Sequence, residues 1–263
     1  MKVSYQMKNL FLLNIVISVL VLSGCSMDTT YTVTDPNAKG DVGTGGSTAR
    51  FAIVGNYLYT VDRQYLKSYD ISIAAHLKYR AIVKTNDDNF IETIASSGKA
   101  LFIGTSTGVG IFGLSTPGTP KYLSTFQHIM MCDPVVANDK FAFVTLRSSS
   151  SCYSSYYATN ELQIFNIQDL SNPQLVQTIT LNKPYGLGLL GKNLFICDNT
   201  LKQFNIADPA NPVLLNEYSN YQFNDIIPFQ PLLLGIGDNG FIELKFDSLA
   251  NTLSLLSKIQ VNN

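Results

Sequence analysis

One pattern of about 40 residues recurs five times along the chain, and this repeat constrains the fold more than any other feature. Each copy runs through an apolar stretch, a Gly, Asn or Lys turn, a short aromatic strand, and two further strands separated by an Asn/Pro turn. Most third strands alternate apolar and polar residues, which is typical of a strand with one buried face. The equivalent positions of the aromatic strand are Tyr59, Phe102, Phe143, Phe195 and Gly235.

A repeat of 40–50 residues with four short strands is typical of a propeller blade. A single four-stranded sheet cannot bury both of its faces, whereas neighbouring sheets packed around an axis can. The sequence therefore predicts an all-β fold: a five-bladed β-propeller of four-stranded antiparallel blades, after an N-terminal signal peptide and a flexible tether. A β-sandwich would not need five copies, and the coil of a β-helix is usually shorter. The predicted blades span 49–90, 91–133, 134–186, 187–225 and 226–263.

The first 24 residues have the character of a targeting segment. Lys2 and Lys8 precede an apolar run over 10–22, which is shorter than the roughly 20 residues of a membrane-spanning helix. The run ends in Leu22-Ser-Gly-Cys25, which resembles the lipobox of bacterial lipoproteins. The resemblance implies cleavage before Cys25 and a covalent lipid on its thiol. The alternative is an ordinary secretory peptide with an incidental cysteine.

Residues 25–48 are rich in Thr, Gly, Ser and Asp, and this composition favours a flexible lipidated tether. The lipoprotein resemblance implies a domain held at the cell envelope by its lipid, with the membrane as a partner. Ser26 stands where Asp would resemble an inner-membrane retention signal, so the outer membrane is expected. The residues leave open which side of that membrane the domain faces.

Composition excludes several classes of function. Eighteen basic and 19 acidic residues give a net charge of -1, which argues against a nucleic-acid partner. Two histidines leave little for a multi-His metal site, and no metal site is predicted. No nucleophile elbow, zinc-ligand spacing or phosphate-binding loop is present, and the sequence nominates no catalytic residue.

Three segments resemble LVIVD-repeat propellers, which are common among lipoproteins of Bacteroidetes-type bacteria. They are Asn56-Tyr-Leu-Tyr-Thr-Val-Asp62, Leu162-Gln-Ile-Phe-Asn-Ile167 and Asp208-Pro-Ala-Asn-Pro-Val-Leu214. The resemblance covers roughly 49–263 and implies the propeller fold, but the family has no agreed activity. Blade five departs from the pattern, because Gly235 and Leu244 replace aromatic residues. Two ways of closing the ring stay open: residues 30–34 supply a strand, or blade five abuts blade one.

Blade three carries an insertion of about ten residues that is rich in Tyr and Ser. Such loops resemble binding surfaces, because Tyr offers a large amphipathic contact area and Ser adapts its hydrogen bonds. The alternative is a solvated spacer. His128 near Asp133 and Arg147 could also form an acid–base site, although a lone loop histidine is more often polar surface. The candidate binding residues are Tyr153, Tyr156, Tyr157, Arg147, His128, Tyr185 and Tyr221.

Two cysteines, Cys132 and Cys152, fall at the same predicted face of blade three. The cell envelope is oxidising, so the sequence context predicts a disulfide between them. A pairing of Cys132 with Cys197 is the alternative.

The function predicted from these features is a lipid-anchored, non-enzymatic scaffold that binds a protein, peptide or glycan. No cofactor is predicted besides the lipid on Cys25. The alternative is a calcium-dependent hydrolase resembling lactonase propellers. For that alternative, Asp62, Asp198 and Asp238 occupy equivalent hairpin positions, where they either form turns or line a cation site.

Overall fold

The computed structural model describes residues 46–85, 91–127, 134–148, 159–238 and 240–261. These residues form twenty β-strands in five separate four-stranded sheets, and every strand pair is antiparallel. Each sheet uses four consecutive strands, so no strand is exchanged between blades. The predicted five-bladed β-propeller is confirmed. No helix in the described part of the chain is long and apolar enough to cross a membrane.

The strands follow the predicted order within each blade. Blade one contains β1 (Phe51–Val54), β2 (Tyr57–Val61), β3 (Tyr65–Asp70) and β4 (Lys78–Lys84). Blade two contains β5 (Ile91–Ser96), β6 (Ala100–Thr105), β7 (Gly108–Gly113) and β8 (Lys121–Gln127). Blade three contains β9 (Val135–Ala137), β10 (Phe141–Arg147), β11 (Asn160–Asn166) and β12 (Gln174–Thr180). Blade four contains β13 (Pro184–Leu190), β14 (Asn193–Asp198), β15 (Thr200–Asn205) and β16 (Val213–Tyr218). Blade five contains β17 (Asp225–Phe229), β18 (Leu232–Gly237), β19 (Gly240–Asp247) and β20 (Thr252–Gln260).

The repeated aromatic of the second strand is the centre of the packing between blades. Tyr59, Phe102, Phe143 and Phe195 are fully buried, and each points from its own blade towards the next. Because successive side chains of a strand point to opposite faces, the residues beside these aromatics face the preceding blade. Every inner blade therefore buries both faces.

Blade five aligns differently from the sequence prediction. Gly188 of β13 pairs with Phe195, and the equivalent Ile227 of β17 pairs with Leu234. Leu234, and not Gly235, therefore occupies the aromatic position. A Cβ at Gly235 would overlap the ring of Phe223, so the glycine is needed for a close approach and does not replace a core aromatic.

A register shift recurs at one place in all five blades, between the third and fourth strands. It falls immediately before an apolar residue of the third strand: Tyr69, Phe112, Phe165, Phe204 and Leu244. An extra residue on one strand bends the sheet and increases its twist. The recurrence shows that each blade is built to the same curvature.

Four apolar clusters hold the described residues together, one between each pair of consecutive blades. None of the four joins blade five to blade one. The two blades are instead linked near the axis, where Gly46–Thr48 lie against Asp225 at the start of β17. Composition assigns residues 46–48 to the tether, but the structure fixes them on blade five.

Asp225 is the centre of this link, which we call the axial clasp. Its side chain is buried and accepts hydrogen bonds from Ser47 Oγ at 2.8 Å, Thr48 Oγ1 at 2.6 Å, Thr48 N at 3.1 Å and Ile226 N at 2.9 Å. Ser47 Oγ in turn accepts the backbone N–H of Leu187 at 2.8 Å. The clasp therefore ties the start of blade one to blades four and five.

Replacing Asp225 by Asn should destabilise the domain by about 2–3 kcal/mol, because an amide nitrogen then faces donors that the carboxylate oxygen accepted. Urea denaturation followed by circular dichroism measures the change. Asp208→Asn is the matched control, since Asp208 is exposed and bonds only within its own turn, to Ala210 N and Asn211 Nδ2. Equal unfolding midpoints for the two variants would show that the clasp contributes nothing.

Candidate functional site

Connections between blades and the hairpins between second and third strands gather at one end of the propeller, which we call the upper face. Hydrogen bonds join neighbouring blades at this end: Gly186 N donates to Asn224 O at 2.9 Å, and the side-chain hydroxyl of Thr145 donates to Tyr185 O at 2.7 Å. These bonds fix the positions of the upper loops of blades three, four and five relative to one another. Loops on such a scaffold are where function concentrates in many folds.

A cation–aromatic group lies on the upper face of blades three and four. The guanidinium carbon of Arg147 lies 3.9 Å from the centre of the Tyr185 ring, and Lys183 Nζ lies 5.6 Å from the same centre. Both distances are within the range of attraction between a cation and the face of an aromatic ring. Two positive charges are thus held beside one phenol.

Asp198 positions the loop that carries Lys183. Its fully buried carboxylate accepts the backbone N–H groups of Asn182 and Lys183, and the ammonium of Lys202 lies 2.7 Å from its Oδ2. These contacts satisfy the charge of Asp198 within the protein. Asp198 is therefore a positioning residue and is not available to bind a ligand.

The other two aspartates of the hairpin prediction differ from Asp198, and by strand register Gly237, not Asp238, holds the position of Asp198 in blade five. Asp62 accepts the N–H groups of Gln64 at 3.1 Å and Tyr65 at 2.9 Å, so it forms a turn. Its hydrogen bond with Lys67 is the main cause that lowers the pKa of Asp62. Asp238 is exposed and accepts the side-chain amide of Asn224 at 2.7 Å. Of the three, Asp238 alone presents its carboxylate to an open cavity.

That cavity lies between the upper loops of blades four and five and has a volume of about 280 Å³. Its size is close to the lower end, roughly 300 Å³, of pockets that bind small molecules. Phe223 forms an apolar part of the wall, and one carboxylate, one ammonium, one phenol and three amide residues, including Gln222, supply polar groups. The wall includes Lys183, Tyr185, Asn199, Phe223, Asn224 and Asp238.

The axial channel is a different kind of space. It has a volume of about 180 Å³ and is lined by the inner strands of all five blades, with Phe51, Ile94, Val135, Leu187 and Ile226 in its wall. Across the described ranges, no three His, Cys, Asp or Glu side chains converge on a cation position.

The structure brings together two of the predicted site residues, Arg147 and Tyr185. Tyr221 and Tyr185 both pack against the core between blades four and five, and the ring of Tyr221 stacks on Phe223, with ring centres 5.7 Å apart. Several predicted residues lie outside the described ranges: Cys25, His128, Cys132, Cys152, Tyr153, Tyr156 and Tyr157. The insertion and the predicted disulfide thus remain predictions.

Sequence reasoning did not single out Asn224 or Asp238 as partners in a pocket. Asp238 carries the hairpin signal Asp-Asn-Gly, which a turn explains equally well. Asn224 lies 14 residues earlier and meets Asp238 only because β17 and β18 pair. A lone sequence contains no signal for that contact.

The architecture defines this chain as a member of the β-propeller class. Residues 45–85, which include blade one, match the family model of the LVIVD repeat, so the predicted resemblance to LVIVD-repeat propellers is confirmed. A comparison with curated proteins gave no significant match.

Solved structures share the fold at low sequence identity. A Lactobacillus plantarum protein is 15% identical with a TM-score of 0.62, over 78% of this chain and 69% of its own. The periplasmic gluconolactonase of Pseudomonas aeruginosa is 16% identical with a TM-score of 0.59, over 79% and 68%. A candidate 6-phosphogluconolactonase of Bacteroides uniformis is 15% identical with a TM-score of 0.61, over 81% and 70%.

These neighbours correct the prediction of a non-enzymatic binding scaffold, because two of them are named as lactonases. The comparison favours the alternative prediction, a lactonase-like enzyme. The scaffold prediction rested on the lack of a catalytic motif. In a propeller, however, a site can be assembled from loops of several blades and needs no local motif. At 15% and 16% identity the comparison establishes the fold, and an activity for this chain is a proposal.

Cys197, the alternative disulfide partner, is a free thiol buried between blades four and five. Burial raises its pKa well above the usual value, and the nearby charge of Asp225 raises it further. Since the thiolate is the reactive form, Cys197 should resist iodoacetamide at pH 8 in the folded protein and react in urea. Peptide mass spectrometry measures this, and rapid modification without urea would contradict the buried position.

Proposed function

We propose that the propeller is a hydrolase of small polar lactones or esters, and that its substrate binds in the upper cavity between blades four and five. The observation that carries the proposal is the composition of that cavity: Asp238, Lys183 and Tyr185 all line it. The lactonase names of two similar folds support the reaction class.

Lactone hydrolysis needs a base for water and a positive group for the developing oxyanion. Asp238 is the carboxylate that can take the proton from water, and the amide of Asn224 orients it. Hydroxide then bonds to the lactone carbonyl carbon and forms a tetrahedral oxyanion. The ring C–O bond breaks, the leaving oxygen takes back the proton held by Asp238 to become an alcohol, and the new carboxylic acid releases its proton to solvent. Lys183 also lines the cavity, and its ammonium is assigned to stabilise the oxyanion.

The remaining groups of the cavity serve binding. Phe223 gives an apolar floor that excludes water from one side, and Asn199 offers hydrogen bonds to hydroxyl groups. Arg147 holds the Tyr185 ring from the side of blade three. The proposal assigns the chemistry to protein groups that line the cavity.

The test is hydrolysis of gluconolactone, followed as acid release in a pH-stat with the spontaneous rate subtracted. The wild-type chain should exceed the spontaneous rate, and Asp238→Asn should lower the enzymatic rate by about 100-fold or more. Asp208→Asn, an exposed aspartate in the turn between β15 and β16, should leave the rate unchanged.

A wild-type rate equal to that of buffer would overturn the activity, provided that circular dichroism shows folded protein. A normal rate for Asp238→Asn would move the chemistry away from this cavity.

We further propose that the domain is anchored at the cell envelope through lipid on Cys25, with support from the lipobox-like residues 22–25. Cys25→Ala should shift the protein from the membrane fraction to the soluble fraction and abolish labelling by radioactive palmitate. Ser26→Ala is the neighbouring control and should behave as the wild type. Persistent palmitate labelling of Cys25→Ala would contradict the anchor.

A further inference from the structure

A second cavity, which we call the lower cavity, lies between blades four and five at the end of the propeller opposite the upper face. Its volume is about 370 Å³, compared with about 280 Å³ for the upper cavity, and falls within the roughly 300–1,000 Å³ of small-molecule sites. The β13–β14 turn, the end of β15, and the β17–β18 and β19–β20 turns surround it. None of its residues lines the upper cavity.

The wall of the lower cavity is rich in carboxamides. Four of the ten residues that line it are Asn or Gln, one supplies a hydroxyl, one supplies an ammonium, and none is Asp or Glu. Leu190 and Phe246, which are buried, form an apolar part of the wall together with Pro231. The polar residues are Lys192, Asn193, Asn205, Gln230, Ser248 and Asn251.

A buried polar side chain stands behind this wall. Gln203 on β15 is 0% exposed, and its carboxamide nitrogen donates to Asn193 Oδ1 at 2.8 Å. At the same register position, immediately before the shift in the third strand, blades two and three carry Ile111 and Ile164. Burying a carboxamide where an aliphatic side chain can pack costs free energy unless its polar atoms are paired. Blade four therefore carries a polar residue that packing alone does not require.

The orientation of Asn193 follows from a chain of hydrogen bonds that starts at a backbone carbonyl. Asn251 O can only accept, so Asn216 turns its nitrogen Nδ2 towards it, at 2.9 Å. The same nitrogen donates to Gln203 Oε1 at 3.0 Å, and Tyr218 OH donates to that oxygen at 3.0 Å. Gln203 therefore faces Asn193 with its nitrogen, and Asn193 must accept with its oxygen.

The wall consequently presents donors in set orientations. Because Oδ1 of Asn193 is held by Gln203, its Nδ2 has no hydrogen-bond partner among the described residues. Asn205 is held in a similar way, since its Oδ1 accepts the backbone N–H of Ala207 at 2.9 Å and its Nδ2 is left for a ligand. Gln230 adds an exposed carboxamide to the same wall.

This set of groups selects a neutral ligand that is rich in hydroxyl groups. A carboxamide can donate to one hydroxyl and accept from the next, so several carboxamides match a row of neighbouring hydroxyls. The apolar part of the wall fits the C–H groups of a sugar ring or a polyol chain. A cation would find no carboxylate among the ten lining residues, and a phosphate would find one exposed ammonium, that of Lys192.

We propose that the lower cavity is a second small-molecule site, which binds a monosaccharide or a sugar alcohol. Asn193 and Asn205 are the hydrogen-bond donors of this site, and Gln203 is the residue that positions Asn193. The site is independent of the proposed hydrolase activity, because the two cavities lie at opposite ends of blades four and five.

Isothermal titration calorimetry of the full chain with D-glucose, D-galactose, D-mannose and sorbitol tests the site. At least one of these four probes should bind the wild type with a Kd below about 1 mM. Asn193→Ala should weaken that binding by about 5–10-fold, because one hydrogen bond is lost. Asn172→Ala is the matched control and should bind as the wild type, since Asn172 is exposed in the turn between β11 and β12 of blade three.

Gln203→Ile installs the residue of blades two and three and separates positioning from packing. The variant should stay folded by circular dichroism and bind the same probe about 5–10-fold more weakly, because Asn193 is no longer oriented. A Gln203 that serves packing alone would leave the affinity unchanged.

A folded wild type that gives no binding heat with any of the four probes would overturn the site. Equal affinities of the wild type and Asn193→Ala would also overturn it. Binding that is lost in Asp238→Asn and kept in Asn193→Ala would place the probe in the upper cavity instead.

Discussion

A β-sheet with two apolar faces must cover both, and this requirement determines the arrangement of the whole domain. Each inner blade buries aromatic residues on both faces: Phe102 and Phe143 face the next blade, and Phe112 and Phe165 face the preceding one. Burying a side chain of this size contributes roughly 2–3 kcal/mol. A blade gains this burial free energy only in contact with its neighbours. Neighbouring blades are therefore expected to fold and unfold together.

Blade one and blade five are linked by polar contacts, whereas the other neighbouring blades are joined by apolar clusters. Asp225 gathers donors from Ser47 and Thr48, residues that are 178 and 177 positions away in sequence. The buried carboxylate is stabilised because every close donor is a hydroxyl or backbone N–H, with no competing carboxylate among its partners. The clasp also fixes the loop before β17, and that loop carries Asn224 beside Asp238. Fold closure and the candidate site therefore share one structural element.

Much of the fold could be predicted from the sequence, because its repeat is local. Turns with Asn and Pro, alternating strands and the aromatics at 59, 102, 143 and 195 give the blades and their order. The sequence pattern places blade five one residue out of register with the other blades. Leu234 holds the aromatic position but is not aromatic, so the pattern assigns that position to Gly235 instead. Ring closure was left open, because the Asp225 contacts have no local signal.

The candidate site was harder to predict than the fold for the same physical reason. Its groups come from separate blades: Arg147 from blade three, Lys183 and Tyr185 from the start of blade four, and Asp238 from blade five. Tyr and Arg were nominated individually for their chemistry, but their neighbours depend on long-range packing. An aspartate in a hairpin is ambiguous until the structure shows whether its carboxylate is satisfied, as for Asp198, or open, as for Asp238.

The central claim is that consecutive blades pack face to face through their aromatic side chains, and a double-mutant cycle tests it most directly. Phe126 of blade two stacks on Phe165 of blade three, with ring centres 4.1 Å apart. Unfolding free energies of Phe126→Leu, Phe165→Leu and the double variant should give a coupling energy of about 0.5–1.5 kcal/mol. A coupling energy of zero would mean that these two rings do not touch, and the face-to-face packing of the blades would be wrong.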